Sequence, residues 1–413
     1  MNSAWKVLIG LLLGAALGLV LNAWAPALAA HTAALVRPVG TLWLNALQMT
    51  IVPLVMALLI IGVAQASDAA ASGRIARRTL AWILGLATAS AVLTAALAPL
   101  ILSWFPHSTD LMLALQSATS GVQAPQGSLA GSITALVPTN AIAAAAQGAI
   151  VPLVVFTLFF AFALTRVEET KRAPVLALAQ GIADTMIVIV HWVLKAGPIG
   201  VFALILPVTV QAGGSVLGAL GVYVLMSVAT MVCITALLYV VATMGNGEPL
   251  RRFASAILPA QVVAASTQSS LASLPAMLDV CANRLGYSPQ VSALVLPIAV
   301  SLFRFTSPAQ YLGVMSFIAW AYGIDLGLVT IATCVLLSVV ISLGSVGLPG
   351  QASFMGTNLP VVQAAGLPIE PLGLLLAVDL IPDVFGTVGN VTADVTVASR
   401  VARAEAQATN PAG

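Results

Sequence analysis

Charged side chains are scarce in this chain. Lysine, arginine, aspartate and glutamate make up 7% of its 413 residues, whereas a soluble domain carries about 25%. So few charges cannot cover a surface that faces water, which excludes a soluble globular domain. They also leave little basic surface of the kind that nucleic acid requires, so we expect no nucleic-acid partner. Because hydrophobic residues make up 60% of the chain, the composition indicates a polytopic membrane protein surrounded by lipid.

Cysteine is also scarce. Cys233, Cys281 and Cys334 stand singly in or beside apolar runs, with no pair and no CxxC spacing. A disulfide framework or a thiolate metal site needs such a grouping. We therefore interpret the three cysteines as packing residues.

Long apolar runs fill the first 250 residues. Six of them are each long enough for one crossing of a bilayer, near residues 5–26, 38–66, 79–105, 138–165, 173–207 and 215–244. The segment from Trp5 to Ala25 is too long for a signal-peptide core, so we interpret it as a retained first helix.

Basic residues collect in five clusters, which lie at Lys6, at Arg74, Arg77 and Arg78, at Arg166, Lys171 and Arg172, at Arg251 and Arg252, and at Arg400 and Arg403. The positive-inside rule assigns all five clusters to the cytoplasmic side. This predicts a multi-pass protein of the cytoplasmic (inner) membrane with both termini inside.

The character of the chain changes after Arg252. Two stretches of similar build follow, Ile257–Leu274 with ASTQSSLASLP and Ile331–Val361 with SLGSVGLPGQASFMG. Their small and polar residues predict re-entrant hairpins, since irregular backbone at membrane depth is tolerated only inside protein or beside a water-filled cavity. Such a pair is typical of a binding site between inverted repeats.

Further segments are assigned by composition alone. We expect long transmembrane helices at about 284–311 and 366–400, an external loop at 106–137 and a disordered tail at 404–413.

The segment Ala377–Val397 is apolar enough to lie in the membrane but carries a polar stripe. At about 100° per residue, five side chains fall within about 80° of one helix face, namely Asp379, Asp383, Thr387, Asn390 and Asp394. Ionisable groups at this depth are costly and mark a pathway or binding site. The stripe therefore predicts a transport site, while a kinked helix whose acids pair with basic neighbours remains the structural alternative.

Proline interrupts the same segment. Pro382 cannot donate the helical hydrogen bond to the Val378 carbonyl, and a free carbonyl beside two carboxylates would suit a cation or an ammonium group.

The two hairpin tips differ in chemistry. The first offers hydroxyls and loop N–H groups around Ser269 and Ser270, which favour a carboxylate at a helix N-terminus. The second contains Gly344, Gly347 and Gly350, which permit left-handed turns and could form a gate over a bound ligand. Plain helix packing by small residues is the alternative for either tip.

Several longer motifs resemble one family. They are QMTIVPLVM at 48–56, VPTNAIAAAAQGAIVPLVVFTLFFAFAL at 137–164, AGPIGVFALI at 196–205, the serine-rich tip, the GLPG of the second tip, and DLIPDVFGTVGNVTADVT at 379–396. Together they resemble the dicarboxylate/amino acid:cation symporter family, the glutamate-transporter-like proteins, from about residue 5 to 400.

The resemblance implies a fold and an assembly. It implies an all-α polytopic membrane protein with eight transmembrane helices, two re-entrant hairpins and inverted repeats, assembled as a homotrimer. A scaffold of about 1–70 and 138–210 would hold a transport core of about 75–105 and 215–400, which moves like an elevator. The chain would be a carrier and not an enzyme, with a small-molecule substrate, no cofactor, and H⁺ or Na⁺ as the coupling ion.

The resemblance also implies roles for residues of the site. Ser269 and Ser270 would hold a substrate carboxylate, with Gly347 at the gate. Asp383 would take the substrate's ammonium group, and Asn390 would touch substrate and ion site. The remaining matches are Ser307 and Thr387 as substrate-contacting hydroxyls, Asp394 as a sodium-coordinating carboxylate and Asp379 as its supporting acid.

One departure from the family affects the ions. Where the family has Asn-Met-Asp-Gly-Thr, this chain has Phe303, Arg304, Phe305, Thr306 and Ser307. The ion ligands of the family's third helix align with Trp82 or Ile83, Leu86 and Ala87. Sodium needs several oxygen donors, and these side chains offer none. A single weaker sodium site could remain at Ser301, Ser342 and Ser345.

Arg304 adds a permanent guanidinium where the family has methionine. Our hypothesis is that it substitutes for a missing cation by pairing with Asp394, so that coupling shifts to a proton or is partly lost. The alternatives are that Arg304 binds a substrate carboxylate or belongs to a structural pair.

A second departure concerns the substrate. Members that carry acidic amino acids have an arginine where this chain has Gly386 or Gln268, which favours a small neutral or polar amino acid. A proton- or sodium-coupled dicarboxylate carrier with Arg304 as reader is the alternative, and a sensor that no longer transports is another. An intramembrane aspartyl protease would also explain buried aspartates, but it needs two carboxylates that face each other. Asp379 and Asp383 share one helix, which argues against this class.

Overall fold

The computed structural model describes residues 3–71, 73–106, 137–245, 247–344 and 350–409, and all regular structure in these ranges is helical. Among the described residues, nine helices precede the first hairpin: α1 Ser3–Trp24, α2 Pro26–Gln48, α3 Ile51–Ala71, α4 Arg74–Leu102, α5 Ala141–Ala146, α6 Ile150–Leu164, α7 Glu169–Lys195, α8 Gly197–Ala212 and α9 Ser215–Thr243.

The second half is built from shorter helices. They are α10 Leu250–Thr267, α11 Ser270–Asp279 with a π-helical turn at Val280–Arg284, α12 Pro289–Leu302, α13 Ser307–Tyr322, α14 Leu328–Gly344, α15 Gly350–Ala364, α16 Pro371–Val378 and α17 Leu380–Thr409. Within the described ranges, six helical segments are long and apolar enough to cross a membrane, and a seventh is added if the bent pair of α16 and α17 counts as one. The predicted class, an all-α polytopic membrane protein, is confirmed.

Both predicted hairpins contain a pair of contacting helices. Helices α10 and α11 form the first, with Gln268 and Ser269 at the tip. Helices α14 and α15 form the second, and its tip at 345–349, with Ser345 and Gly347, lies outside the described residues. Most of the predicted external loop, 107–136, lies outside them as well.

The structure corrects four predicted boundaries. The run 173–207 was predicted as one helix but is two, because α7 ends at Lys195 and α8 begins at Gly197. The predicted helix 284–311 is interrupted after Leu302, and the predicted helix 366–400 is interrupted at Asp379. The last helix continues to Thr409, so residues 404–409 are helical and not part of a disordered tail.

Small residues bring the first helix close to α8. Gly10, Gly14 and Gly18 recur every fourth residue on one face of α1, and a Cβ on Gly14 would lie 2.5 Å from the Ile205 side chain. Such spacing lets helices in a membrane approach closely. Trp43 extends this packing, since its indole N–H donates to the Val193 carbonyl at 3.0 Å.

An ion-pair network ties the start of α10 to the C-terminal part of α17 and to the segment before α12. Its centre is Glu248, which is 2% exposed and whose Oε1 accepts from Arg403 Nε and from the Tyr287 hydroxyl, each at 3.0 Å. Arg252 lies 3.5 Å from the other carboxylate oxygen. Burial raises the pKa of the Tyr287 phenol above its usual range.

Three further contacts join α17 to α4 at the same end. Glu405 pairs with Arg74 at 2.5 Å and with Arg78 at 2.6 Å. Arg400 lies over the Trp82 ring at 5.3 Å. Helix α17, which carries the acidic stripe, is therefore anchored at its far end to α4 and to the base of the first hairpin.

Replacing Arg403 with methionine is expected to lower the free energy of unfolding by about 3 kcal/mol, because it leaves most of the buried Glu248 charge unanswered. Glu248→Gln should cost less, since the Arg403 side chain is 32% exposed and can turn toward water. Thermal unfolding in detergent measures both variants, with the exposed Arg251→Met as the control. Equal melting temperatures for Arg403→Met and Arg251→Met would show that the ion-pair network does not stabilise the fold.

Candidate functional site

Three breaks in helices border the predicted acidic stripe. They lie at the tip of the first hairpin, between α12 and α13 at 303–306, and between α16 and α17 at Asp379. Helix ends leave backbone N–H and C=O groups without helical partners. At membrane depth such groups can be used only inside protein or beside a cavity, so this arrangement is typical of a binding site.

The stripe begins at a sharp bend. Helices α16 and α17 meet at 68°, and Asp379 lies at the junction, where its N–H donates to Leu375 O at 2.9 Å and its carbonyl accepts from Asp383 N. Pro382 lies in the first turn of α17, where an N–H would have no helical partner in any case. The proline therefore fits the start of a helix, and the single long helix predicted at 366–400 is divided by this bend.

Asp379 is held by neutral donors. The Tyr223 hydroxyl of α9 donates to its Oδ1 at 3.1 Å, and Gln310 Nε2 of α13 lies 3.1 and 2.9 Å from the two carboxylate oxygens. The residue is 8% exposed. Asp379 thus connects the bend to two neighbouring helices through hydrogen bonds that need no basic partner.

Asn390 is bonded to the break between α12 and α13. Its Oδ1 accepts from Thr306 N at 2.9 Å and lies 3.0 Å from Thr306 Oγ1. The same hydroxyl lies 3.0 Å from the Gly386 carbonyl, so it can donate to either acceptor. The neighbouring Thr387 hydroxyl donates within its own helix, to Asp383 O at 2.8 Å.

Asp394 is the most deeply buried acid of the stripe. It is 0% exposed, and neither carboxylate oxygen has a hydrogen-bond partner among the described residues. The positive charge of Arg304 acts on both Asp394 and Asp383. The direct pair predicted between Arg304 and Asp394 is therefore absent here as a hydrogen-bonded contact, although Arg304 is the cation that acts on both acids.

The two phenylalanines beside Arg304 are buried. Phe303 and Phe305 are 2% and 0% exposed, and their rings pack edge to face with centroids 6.2 Å apart. On α4, Ile83, Leu86 and Ala87 are buried as well. The side chains at these positions offer hydrocarbon and no oxygen ligand.

The first hairpin tip lies against the start of α17. Gln268 adopts a left-handed backbone conformation with φ 51°, and its side-chain amide donates to Leu380 O at 3.1 Å. Ser269 caps α11, since its hydroxyl accepts from Ala272 N at 3.2 Å. The structure thus places the serine-rich tip beside the acidic stripe, with Ser270 half-buried at the helix start.

The predicted weak sodium site is only partly described. Ser342 is buried and donates to Val339 O at 2.7 Å, while Ser301 is exposed. Ser345 and Gly347 lie outside the described residues, so this site and the gate stay predictions. Ser307 is buried at the first turn of α13.

Sequence reasoning missed four residues, of which three contact the stripe and the fourth contacts Thr392 elsewhere on α17. Tyr223, Gln310 and Thr306 bond to its members, and Gln261 donates to Tyr239 OH at 2.7 Å and to Thr392 Oγ1 at 2.9 Å. Each is a polar side chain on an otherwise apolar helix or next to a helix break. That pattern could have identified them as candidates, although not their partners.

Taken together, an all-helical membrane protein with a hairpin tip, a broken helix and a half-buried arginine around clustered acids has the architecture of a transmembrane carrier. The chain belongs to the sodium:dicarboxylate symporter family, whose model matches residues 4–404. The predicted family is confirmed, and with it a symporter in place of an enzyme, with no cofactor and with H⁺ or Na⁺ as the coupling ion.

Curated relatives cover nearly the full length of the chain. A proton/glutamate-aspartate symporter of Escherichia coli (strain K12) is 29% identical over 97% of this chain and 92% of its own length. A proton/sodium-glutamate symport protein of Bacillus subtilis (strain 168) is 29% identical over 96% and 91%. A C4-dicarboxylate transport protein of Rhodospirillum rubrum is 27% identical over 88% and 82%.

Proposed function

We propose that this protein is a secondary active symporter for a small neutral or polar amino acid, coupled to protons or to a reduced number of sodium ions. The supporting observation is an imbalance of charge. The stripe holds three carboxylates, on Asp379, Asp383 and Asp394, and the guanidinium of Arg304 acts on two of them, Asp383 and Asp394. Buried charges without partners are heavily penalised, so the site favours additional positive charge.

The substrate's ammonium group is one source of that charge. Asp383 lies within the stripe in the first turn of α17, at the position that the family resemblance assigns to ammonium recognition. A carboxylate binds an ammonium through charge-assisted hydrogen bonds. The substrate's α-carboxylate would bind at the serine-rich first tip, where the hydroxyls and backbone N–H groups lie at the N-terminus of α11.

The side chain of the substrate has no basic partner at the positions used by acidic-amino-acid carriers. Gly386 has no side chain, and a Cβ there would first meet the Thr306 hydroxyl at 3.4 Å. The Gln268 amide is neutral and bonded to Leu380 O. These contacts support a small neutral or polar side chain.

A proton or one weakly bound sodium ion would supply the remaining charge. Two positions with oxygen ligands in the family are here Phe303 and Phe305, and both rings are buried. Hard cations require several oxygen donors, so the surroundings support fewer sodium ions than the family usually couples. The carboxylates Asp379 and Asp394 are the groups available for a proton.

A second candidate is a carrier of a dicarboxylate or other organic acid. It is favoured by the similarity to C4-dicarboxylate transport proteins and by the guanidinium of Arg304, which could bind a substrate carboxylate bidentately. In that case Arg304 would leave Asp383 and Asp394 when substrate binds.

The wider organisation is proposed from the family resemblance. The protein would be a homotrimer in the cytoplasmic membrane with both termini inside. A scaffold of about 1–70 and 138–210 would hold an elevator-like transport core of about 75–105 and 215–400.

Purified protein in proteoliposomes tests the function. Uptake of labelled alanine, serine, glutamine, aspartate and succinate is measured under separately imposed sodium and pH gradients, and counterflow distinguishes a carrier from a sensor. We expect concentrative uptake of a neutral or polar amino acid driven by the pH gradient or by sodium. Uptake of succinate alone would select the second candidate, and absence of counterflow for all five would contradict a carrier of either kind.

A further inference from the structure

Thr306 has no assigned role, yet it is the residue that joins the break carrying Arg304 to the acidic stripe. Its backbone N–H and its hydroxyl both lie within 3.0 Å of Asn390 Oδ1, and the hydroxyl also lies 3.0 Å from Gly386 O. Thr306 is 4% exposed. It therefore connects a short non-helical segment to α17 by buried hydrogen bonds.

Two glycines of α17 form the surface that receives Thr306. Gly386 and Gly389 are three residues apart and so lie on one helix face. A Cβ on Gly389 would lie 2.6 Å from Thr306 Cγ2 and 2.8 Å from Thr235 Oγ1. A side chain at 389 would thus displace Thr306, whereas a Cβ on Gly386 would make an ordinary contact at 3.4 Å.

Arg304 is only two residues from this contact. Its carbonyl accepts from Ser307 N at 3.1 Å, and Phe303 N donates to Ala299 O at 2.8 Å. Phe303 and Phe305 are buried on either side of it. The backbone of Arg304 is therefore held from both sides, and Thr306, two residues further on, is hydrogen-bonded to α17, where Asp383 and Asp394 lie.

We propose that Thr306 is a positioning residue, which holds Arg304 where its charge acts on Asp383 and Asp394 and thereby sets the ion dependence of transport. The inference rests on the proposed function for its transport readout. Its structural part, the coupling between Thr306 and Arg304, is independent of which substrate is carried.

A double-mutant cycle tests the coupling without any substrate. Thr306→Val keeps the shape and the backbone N–H but removes the hydroxyl, and Arg304→Met removes the charge. If Thr306 positions Arg304, Arg304→Met should change the pH dependence of the melting temperature less in the Thr306→Val background than in the wild type. Equal effects in both backgrounds would overturn the proposal and leave Thr306 a structural residue.

Transport gives the second measurement. Thr306→Val should reduce uptake about tenfold, the worth of roughly one buried hydrogen bond, and should move its sodium or pH dependence in the same direction as Arg304→Met. Thr306→Ser, which keeps the hydroxyl, should restore the wild-type ion dependence. A reduced rate with an unchanged ion profile in Thr306→Val would count against the proposal.

Two further variants keep the test decisive. If Thr306→Val is not recovered as folded protein, Thr306→Ala replaces it in the cycle. Gly389→Ala should alter the ion dependence, because its Cβ would displace Thr306. If the wild type takes up none of the compounds, the proposed function fails, and the melting-temperature cycle still decides the role of Thr306.

Discussion

Arg304→Met is expected to abolish uptake or to make it newly dependent on a cation. In the wild type one guanidinium acts on Asp383 and on the fully buried Asp394. Without it, both carboxylates must be protonated or must bind another cation. Leaving a buried charge without its partner costs about 3 to 5 kcal/mol, which corresponds to a loss of at least a hundredfold in uptake at low sodium and neutral pH.

Sodium and pH titrations of initial uptake rates measure this effect. High sodium or low pH should restore part of the rate in Arg304→Met, since either supplies the missing positive charge. Arg304→Lys is the matched control: it keeps the charge but loses the planar fork, so it should remain active without added cation. Unchanged uptake with unchanged ion dependence in Arg304→Met would show that Arg304 is neither a cation substitute nor a substrate reader.

Asp383→Asn is expected to have the second large effect, with a sign that separates the two candidate functions. If the substrate is an amino acid, the substitution removes the carboxylate that binds its ammonium group. Uptake should then fall by about a hundredfold or more, because a charge-assisted contact contributes about 3 kcal/mol. For a dicarboxylate, it removes a negative charge that opposes binding, and uptake should be unchanged or rise.

The experiment compares kcat/KM for an amino acid and for succinate in the same vesicles. Asp184→Asn serves as the control, because Asp184 is exposed on α7 and bonded to Gln180 within its own helix. An amino acid carrier whose Asp383→Asn variant retained full kcat/KM would contradict the assigned ammonium contact.

The proposed coupling rests on two losses that a neighbouring charge would compensate. Where the family resemblance implies oxygen ligands, this chain has Phe303 and Phe305, with the permanent charge of Arg304 between them in sequence. A fixed guanidinium cannot leave with the substrate as a sodium ion does. Such a change would reduce the number of ions moved per cycle while keeping the acids of α17 partly neutralised, which is the physical reason for expecting altered coupling.

Much of the fold was predictable from local pattern. Apolar runs of about 20 residues must be helices in a bilayer, since only helices satisfy their own backbone there. The two small-residue stretches marked the hairpins, and the polar residues at intervals of three and four marked one face of α17. What pattern could not show was where helices end: the interruption at Ala196 and the bend at Asp379 depend on how neighbouring helices pack.

The candidate site divides in the same way. The sequence by itself determined the membrane class, the acidic stripe and the unusual Arg304, because periodicity and charge at membrane depth are properties of one segment. Tertiary structure alone decided that Tyr223 and Gln310 donate hydrogen bonds to Asp379 and that Thr306 donates to Asn390. It also decided that Asp394 has no hydrogen-bond partner among the described residues. Those contacts join residues separated by 69 to 156 positions in the chain, and hydrogen bonds over such distances are set by three-dimensional packing, which no local pattern encodes.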